Sequence, residues 1–128
     1  MKQLFESRAA LKEFERSWLG KSVRIGIDRP IGYVHVKGEK TLHYPINYGY
    51  IPDVLGGDGE ELDVYVLGPT EPVERFRGHI IAIVYRRDDV EDKLVAAPDG
   101  MSYSHDEIRA ALHFQEKYYD SYLELGSE

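Results

Sequence analysis

Between Ser22 and Ala97 the chain runs through short apolar segments separated by turn residues, with no helical pattern between them. In SVRIGID, Val23, Ile25 and Ile27 alternate with Arg24, Gly26 and Asp28, the period-2 pattern of a half-buried strand. Pro30 and Gly32 punctuate the chain, and a shorter strand over Tyr33 to Val36 turns at Lys37-Gly38. Leu62, Val64 and Val66 alternate again. HIIAIVYR (79–86) reads as a central strand and KLVAA (93–97) as a short one. A parallel βαβ sheet needs a helix between successive strands. Its absence predicts a small, mostly antiparallel β-barrel.

Helices are expected only at the two ends, which gives an α+β, mainly β fold class. Leu4, Leu11, Phe14 and Trp18 fall along one stripe of an N-terminal helix that stops near Gly20. Ser104 and Glu107 form an S-x-x-E capping box for a C-terminal helix. Ile108, Ala111, Leu112, Tyr119 and Tyr122 then recur at helical spacing. With 128 residues and no linker or repeat, residues 1–128 are expected to form one domain.

Composition narrows the partners. The chain has 16 basic and 23 acidic residues, a net charge of -7, and no lysine or arginine cluster in sequence. Nucleic acid, a polyanion, is therefore not an expected partner. No apolar run approaches the roughly 18 residues of a membrane helix, and the N-terminus has no apolar signal core. Cysteine is absent, which excludes disulfides and thiolate metal sites and is consistent with the cytoplasm. The histidines show no zinc-ligand spacing. A homo-oligomer remains open.

Two acidic groups stand out. Asp58, Glu60 and Asp63 lie in GGDGEELDV, where Asp63 opens a strand and points away from Leu62 and Val64. Asp88, Asp89, Glu91 and Asp92 follow the central strand, at the tip of the expected hairpin. If both groups lie at one end of the barrel, they face each other and suit two divalent cations about 4 Å apart. Mg²⁺ takes oxygen ligands from one or two carboxylates, water and substrate phosphate. Acid-rich turns are also what solvated hairpin tips look like, and spacing alone does not choose.

The run Tyr44-Pro45-Ile46-Asn47-Tyr48-Gly49-Tyr50, followed by Asp58-Gly59-Glu60-Glu61-Leu62-Asp63-Val64, resembles soluble family I inorganic pyrophosphatases. Their signature reads YPxNYGxI, a short gap, then DGDPxDV. Asp92-Lys93-Leu94-Val95-Ala96-Ala97-Pro98 resembles the family's D-x-K-L-V-A-V-P segment with one residue missing. His113 to Tyr118 resembles its H-F-x-x-x-Y segment. The likeness covers roughly residues 22–119. It implies an OB-like barrel and Mg²⁺-dependent hydrolysis of inorganic diphosphate, with two or more Mg²⁺ ions and a small phosphate-containing substrate.

Carried over by residue, the resemblance makes Asp58, Asp63, Asp88 and Asp92 metal ligands, with Asp63 also catalytic. Glu60 becomes the general base towards the attacking water, with one methylene more than the family's aspartate. Lys93 and Tyr118 would contact phosphate. Tyr48 would line the site and bond a carboxylate or phosphate, and Tyr44 is placed with the substrate-binding residues. Gly26 stands where the family carries a glutamate, its K-x-E pair has no counterpart, and the stretch to Tyr44 is short enough that a hairpin is expected to be missing. Arg29, His35 and Lys37 lie in that stretch and would substitute as phosphate ligands. Two alternatives accompany this reading: the same metal site acting on a larger phosphoanhydride such as a nucleotide, and a non-catalytic barrel that binds metal phosphate or a protein partner.

Overall fold

The computed structural model describes residues 5–89 and 91–126. Helix α1 (Arg8–Arg16) leads into strand β1 (Ser22–Arg29). A hairpin of β2 (Val34–Lys37) and β3 (Lys40–His43) follows, then β4 (Asn47–Leu55), β5 (Glu61–Val66), β6 (Arg75–Arg86) and β7 (Lys93–Ala97). Helix α2 (His105–Glu116) and strand β8 (Ser121–Leu125) close the chain. Ser7 caps α1 by accepting from the Ala10 N–H at 3.1 Å, and the Ser104–Glu107 capping box starts α2. The part of the expected first helix that includes Leu4 lies outside the described residues.

Five strands close into a barrel. β1 pairs with β4, β4 with β5, β5 with β7, β7 with β6, and the first half of β6 returns to β1. All of these pairings are antiparallel except β5–β7, which is parallel. β8 adds to the second half of β6 as an outer strand. The expected mostly antiparallel barrel with terminal helices is therefore present.

Alternation sorts the side chains onto two faces. Ile25, Ile51, Val64, Ile80 and Leu94, one from each barrel strand, form the interior with their neighbours, and Phe14 and Trp18 of α1 pack against it. Tyr48, Tyr65, Ala82, Val84 and Val95 form a second cluster on the other face with Ile108 and Leu112 of α2. The ladder shifts register between Ile80 and Ala82. That bulge changes the parity of β6, so Ile80 and Ile83 serve the interior while Ala82 and Val84 serve α2.

The shorter strand expected after Gly32 forms and turns at Gly38, with Val34 opposite His43 and Lys37 opposite Lys40. One expectation needs correction. The helical spacing does not carry α2 to Tyr122. The helix ends at Glu116, and Tyr122 lies in β8 opposite Tyr85, with ring centroids 5.1 Å apart. That cross-strand aromatic contact outweighs the local spacing.

Candidate active site

The site begins with a close approach of two strands. Gly49 packs so tightly on β1 that a Cβ there would lie 1.8 Å from the Gly26 carbonyl oxygen. Only glycine permits that contact. Asn47, fully buried, accepts from the N–H of Ile31 at 3.0 Å and donates to the Glu71 carbonyl at 3.1 Å. β4 is thus pinned on both sides, and Tyr48 is held opposite Tyr65 on the outer wall beneath α2.

A cleft of about 520 Å³ opens on that wall. The barrel contributes Asp28, Arg29, Tyr48, Asp63, Arg86 and Lys93, with Glu91 just before β7. The β2–β3 hairpin contributes His35, Lys37 and Lys40, and the end of α2 brings Gln115, Tyr118 and Tyr119. Six cationic or potentially cationic side chains thus face three carboxylates around one space large enough for a small ligand.

At its base, Lys93 is buried and donates to Tyr48 Oη at 2.6 Å, to Asp63 Oδ2 at 2.7 Å and to Glu91 Oε1. The Tyr48 hydroxyl donates to Asp63 Oδ2 at 2.9 Å. Burial, then the Asp63 charge, push the Tyr48 phenol well above its ordinary range, so it remains a donor. Burial and the hydrogen-bonding proximity of Asp63 raise the Glu91 carboxyl, against the pull of Lys93. Two carboxylates therefore share one ammonium. Partial desolvation raises Asp28 as well.

A second layer fixes the aromatic wall. Arg29 Nη1 donates to Tyr44 Oη at 2.5 Å, and the Tyr44 hydroxyl donates to Gln115 Oε1 at 2.7 Å. The Arg29 guanidinium lies 5.5, 5.5 and 5.7 Å from the rings of Tyr33, Tyr44 and Tyr48, a cation–π cage that holds the charge at the cleft. Arg86 grips Glu116 with two bonds, at 2.6 and 3.1 Å, while the Tyr65 hydroxyl donates to the same carboxylate at 2.5 Å.

The structure brings together Tyr48, Asp63, Arg29, Lys37, Lys93 and Tyr118, and Tyr44 supports them from behind. It leaves four expected residues out of the cleft lining. Asp58 accepts from the Glu60 N–H at 3.0 Å within the β4–β5 turn, and Glu60 is exposed there. Asp88 is exposed and accepts from the Asp120 N–H at 3.1 Å. Asp92, just before β7, points away from the cleft, where Arg8 Nη1 and Nη2 reach it at 2.5 and 2.6 Å and the Arg86 N–H at 2.8 Å. Its neighbours Glu91 and Lys93 both line the cleft, and Asp92 between them faces away. Asp28 was missed. It supplies from the first strand a carboxylate that the sequence reading found lacking at Gly26.

The donor set suits a hard divalent cation, since Asp63 and Glu91 are close, offer only oxygen and share the single ammonium of Lys93. Among the described residues no group of three or more Asp, Glu or His side chains is gathered tightly enough to hold a metal alone. A cation here would take one or two carboxylates, with water and ligand oxygen completing its shell, as Mg²⁺ commonly does. Among the described residues no helix is long and apolar enough to cross a membrane.

Comparison with known proteins gives concordant results. The inorganic pyrophosphatase family model matches residues 18–123. An inorganic pyrophosphatase of Aquifex pyrophilus is 32% identical over 85 residues, covering 62% of this chain and 48% of that protein. One from Xylella fastidiosa is 28% identical over 117 residues, 80% of this chain and 66% of the relative. The chain spans about half the length of several curated relatives it matches, 45% to 54%. The solved inorganic pyrophosphatase of Ehrlichia chaffeensis superposes with a TM-score of 0.64 at 19% identity, covering 84% of this chain and 87% of that one. The Coxiella burnetii enzyme gives 0.59 at 21%, covering 84% of each. At such identities the superpositions speak for the fold.

Proposed function

The chain belongs to the inorganic pyrophosphatase family, and from that premise we propose that its cleft hydrolyses inorganic diphosphate to two phosphates with Mg²⁺. The observation that carries this reading is the Lys93–Tyr48–Asp63–Glu91 cluster at the base of a cleft that also holds Arg29, Lys37, Lys40 and His35. Diphosphate is small and highly charged. An acidic protein can hold it only where cations gather, and this wall supplies them.

Asp63 and Glu91 would hold Mg²⁺, which when bound neutralises phosphate charge and acidifies water. Lys93, which bonds both carboxylates, would turn its ammonium to a phosphate oxygen were they engaged by the cation. Arg29, restrained by its three tyrosines, presents a fixed fork for a second phosphate. Lys37 and Lys40 bring mobile charge from the hairpin. Asp28, with its raised proton affinity, is the carboxylate suited to take a proton from the attacking water. Glu60, exposed on its turn, is replaced in this role. The Tyr48 hydroxyl, kept protonated, orients Asp63.

Phosphate release from diphosphate by purified protein tests the proposal. Turnover that requires Mg²⁺ and drops 100-fold or more in Lys93→Met supports it, in line with the loss of one preorganised charge-stabilising donor. Turnover unchanged in Lys93→Met sinks it.

A further inference from the structure

A second groove, of about 650 Å³, lies on the barrel where β1 meets β6, and it shares no lining residue with the cleft. Three arginines line it: Arg24, Arg75 and Arg77. The closing ladder sets Arg24 directly opposite Arg77 and Gly26 opposite Arg75. Like charges facing each other across neighbouring strands destabilise a sheet. Yet among the described residues none of the three makes an ion pair or a side-chain hydrogen bond, although the chain carries 23 acidic residues to 16 basic ones. Glu74 also lines the groove, and it pairs with none of them. The fold thus concentrates uncompensated positive charge at one place on an acidic protein.

The floor of the groove has a different character. Gly26 has no side chain, and the Tyr50 ring lies across the bare backbone: a Cβ at Gly26 would meet ring atoms at 2.8 Å. Tyr50 is half-buried, and Pro52 and Phe76 extend the apolar surface beside it. An aromatic platform next to an arginine cluster, in a space of this volume, matches a ligand with a flat base and several phosphates. Inorganic phosphate chains would use the arginines and leave the platform idle.

We propose that the Arg24–Arg75–Arg77 groove binds a nucleoside polyphosphate, with the arginines on the phosphates and the base on Tyr50. The site is separate from the cleft and does not depend on what the cleft hydrolyses. Its position suits an effector: Gly26, in its floor, is two residues from Asp28, which lines the cleft, and Tyr50 stands opposite Asp63 in the ladder.

Calorimetric titration with ATP and with inorganic tripolyphosphate, both in EDTA, tests this on three proteins: wild type, Lys93→Met, and the Arg24→Ser/Arg77→Ser double variant. Far-ultraviolet circular dichroism confirms that each is folded. The expected result is ATP binding that Lys93→Met leaves intact and the double variant weakens at least tenfold, with tripolyphosphate binding more weakly than ATP. No ATP binding to the wild type overturns the proposal, as does binding that the double variant leaves unchanged. Equal affinity for ATP and tripolyphosphate overturns the assignment to a nucleotide.

Discussion

Lys93 Nζ lies 2.7 Å from Asp63 Oδ2, and the two residues come from strands that run parallel side by side. Val64 pairs with Leu94 in that ladder, so Asp63 and Lys93 are the neighbours just before it and leave the sheet on the same face. An antiparallel pairing would send the two strands in opposite directions from this point. The parallel pair instead places the start of β5 beside the start of β7, and with it the loop acid Glu91. The charge cluster of the cleft is thus a consequence of topology.

Glu91 and Asp92 are adjacent in sequence and opposite in role. Asp92→Asn is expected to destabilise the fold by about 3 kcal/mol, because it removes the charge that Arg8 grips with two bonds. Its turnover per folded molecule should stay within a few-fold of wild type. Glu91→Gln should cost little stability and much activity. Chemical denaturation and phosphate release on both variants check the contrast, and the reverse pattern would return Asp92 to the site.

Glu15 provides a pH signature. It is fully buried beside Asp92, and both of its oxygens lack a hydrogen-bond partner at ordinary geometry. Burial, reinforced by Asp92, pushes its carboxyl up to about 10 from the usual 4.5. The folded chain therefore holds a proton that the unfolded chain has lost between those two values. Its contribution to stability is full below about pH 4.5 and declines as pH rises towards 10. Glu15→Gln should flatten that decline. Denaturation midpoints at pH 6, 7.5 and 9 read it directly, and parallel slopes in both proteins would contradict the assignment.

Gly49 sets the distance between β1 and β4. A methyl group there would collide with backbone, which cannot move aside as a side chain tip can. Gly49→Ala is expected to cost more than about 2 kcal/mol and to loosen Tyr48 and Asp63 together. Thermal unfolding and the Michaelis constant for diphosphate report the two effects. An unchanged melting temperature would show that the strands can separate freely.

Arg29→Ala should raise the Michaelis constant for diphosphate tenfold or more while changing the melting temperature little, since its partners are aromatic faces and one phenol. Undiminished substrate affinity would remove Arg29 from the binding set.

Much of the barrel was legible because alternation is local. β1, β5 and β7 were read within a residue or two, and the capping box located α2. The β3 and β4 strands were not read, since Pro45 and Pro52 break up the apolar pattern around Tyr44 to Tyr50. β8 was hidden by tyrosines whose spacing also fits a helix, and only its pairing with β6 decides the matter. At the site, Asp63, Tyr48 and Lys93 carried their signal in motifs. Glu91 stands in the second acidic group in sequence, but only the fold separates it from Asp92, since one lines the cleft and the other meets Arg8. The partner of Asp92 could not be read at all, because Arg8 is 84 residues away in sequence. The same holds for the seam that sets Arg24 opposite Arg77.

The most direct measurement is Mg²⁺-dependent phosphate release from diphosphate by the wild type beside Asp63→Asn. The account predicts turnover in the wild type that disappears without Mg²⁺, and a loss of at least 100-fold in a variant that still unfolds cooperatively. Equal turnover in the two proteins, or turnover indifferent to Mg²⁺, would contradict it.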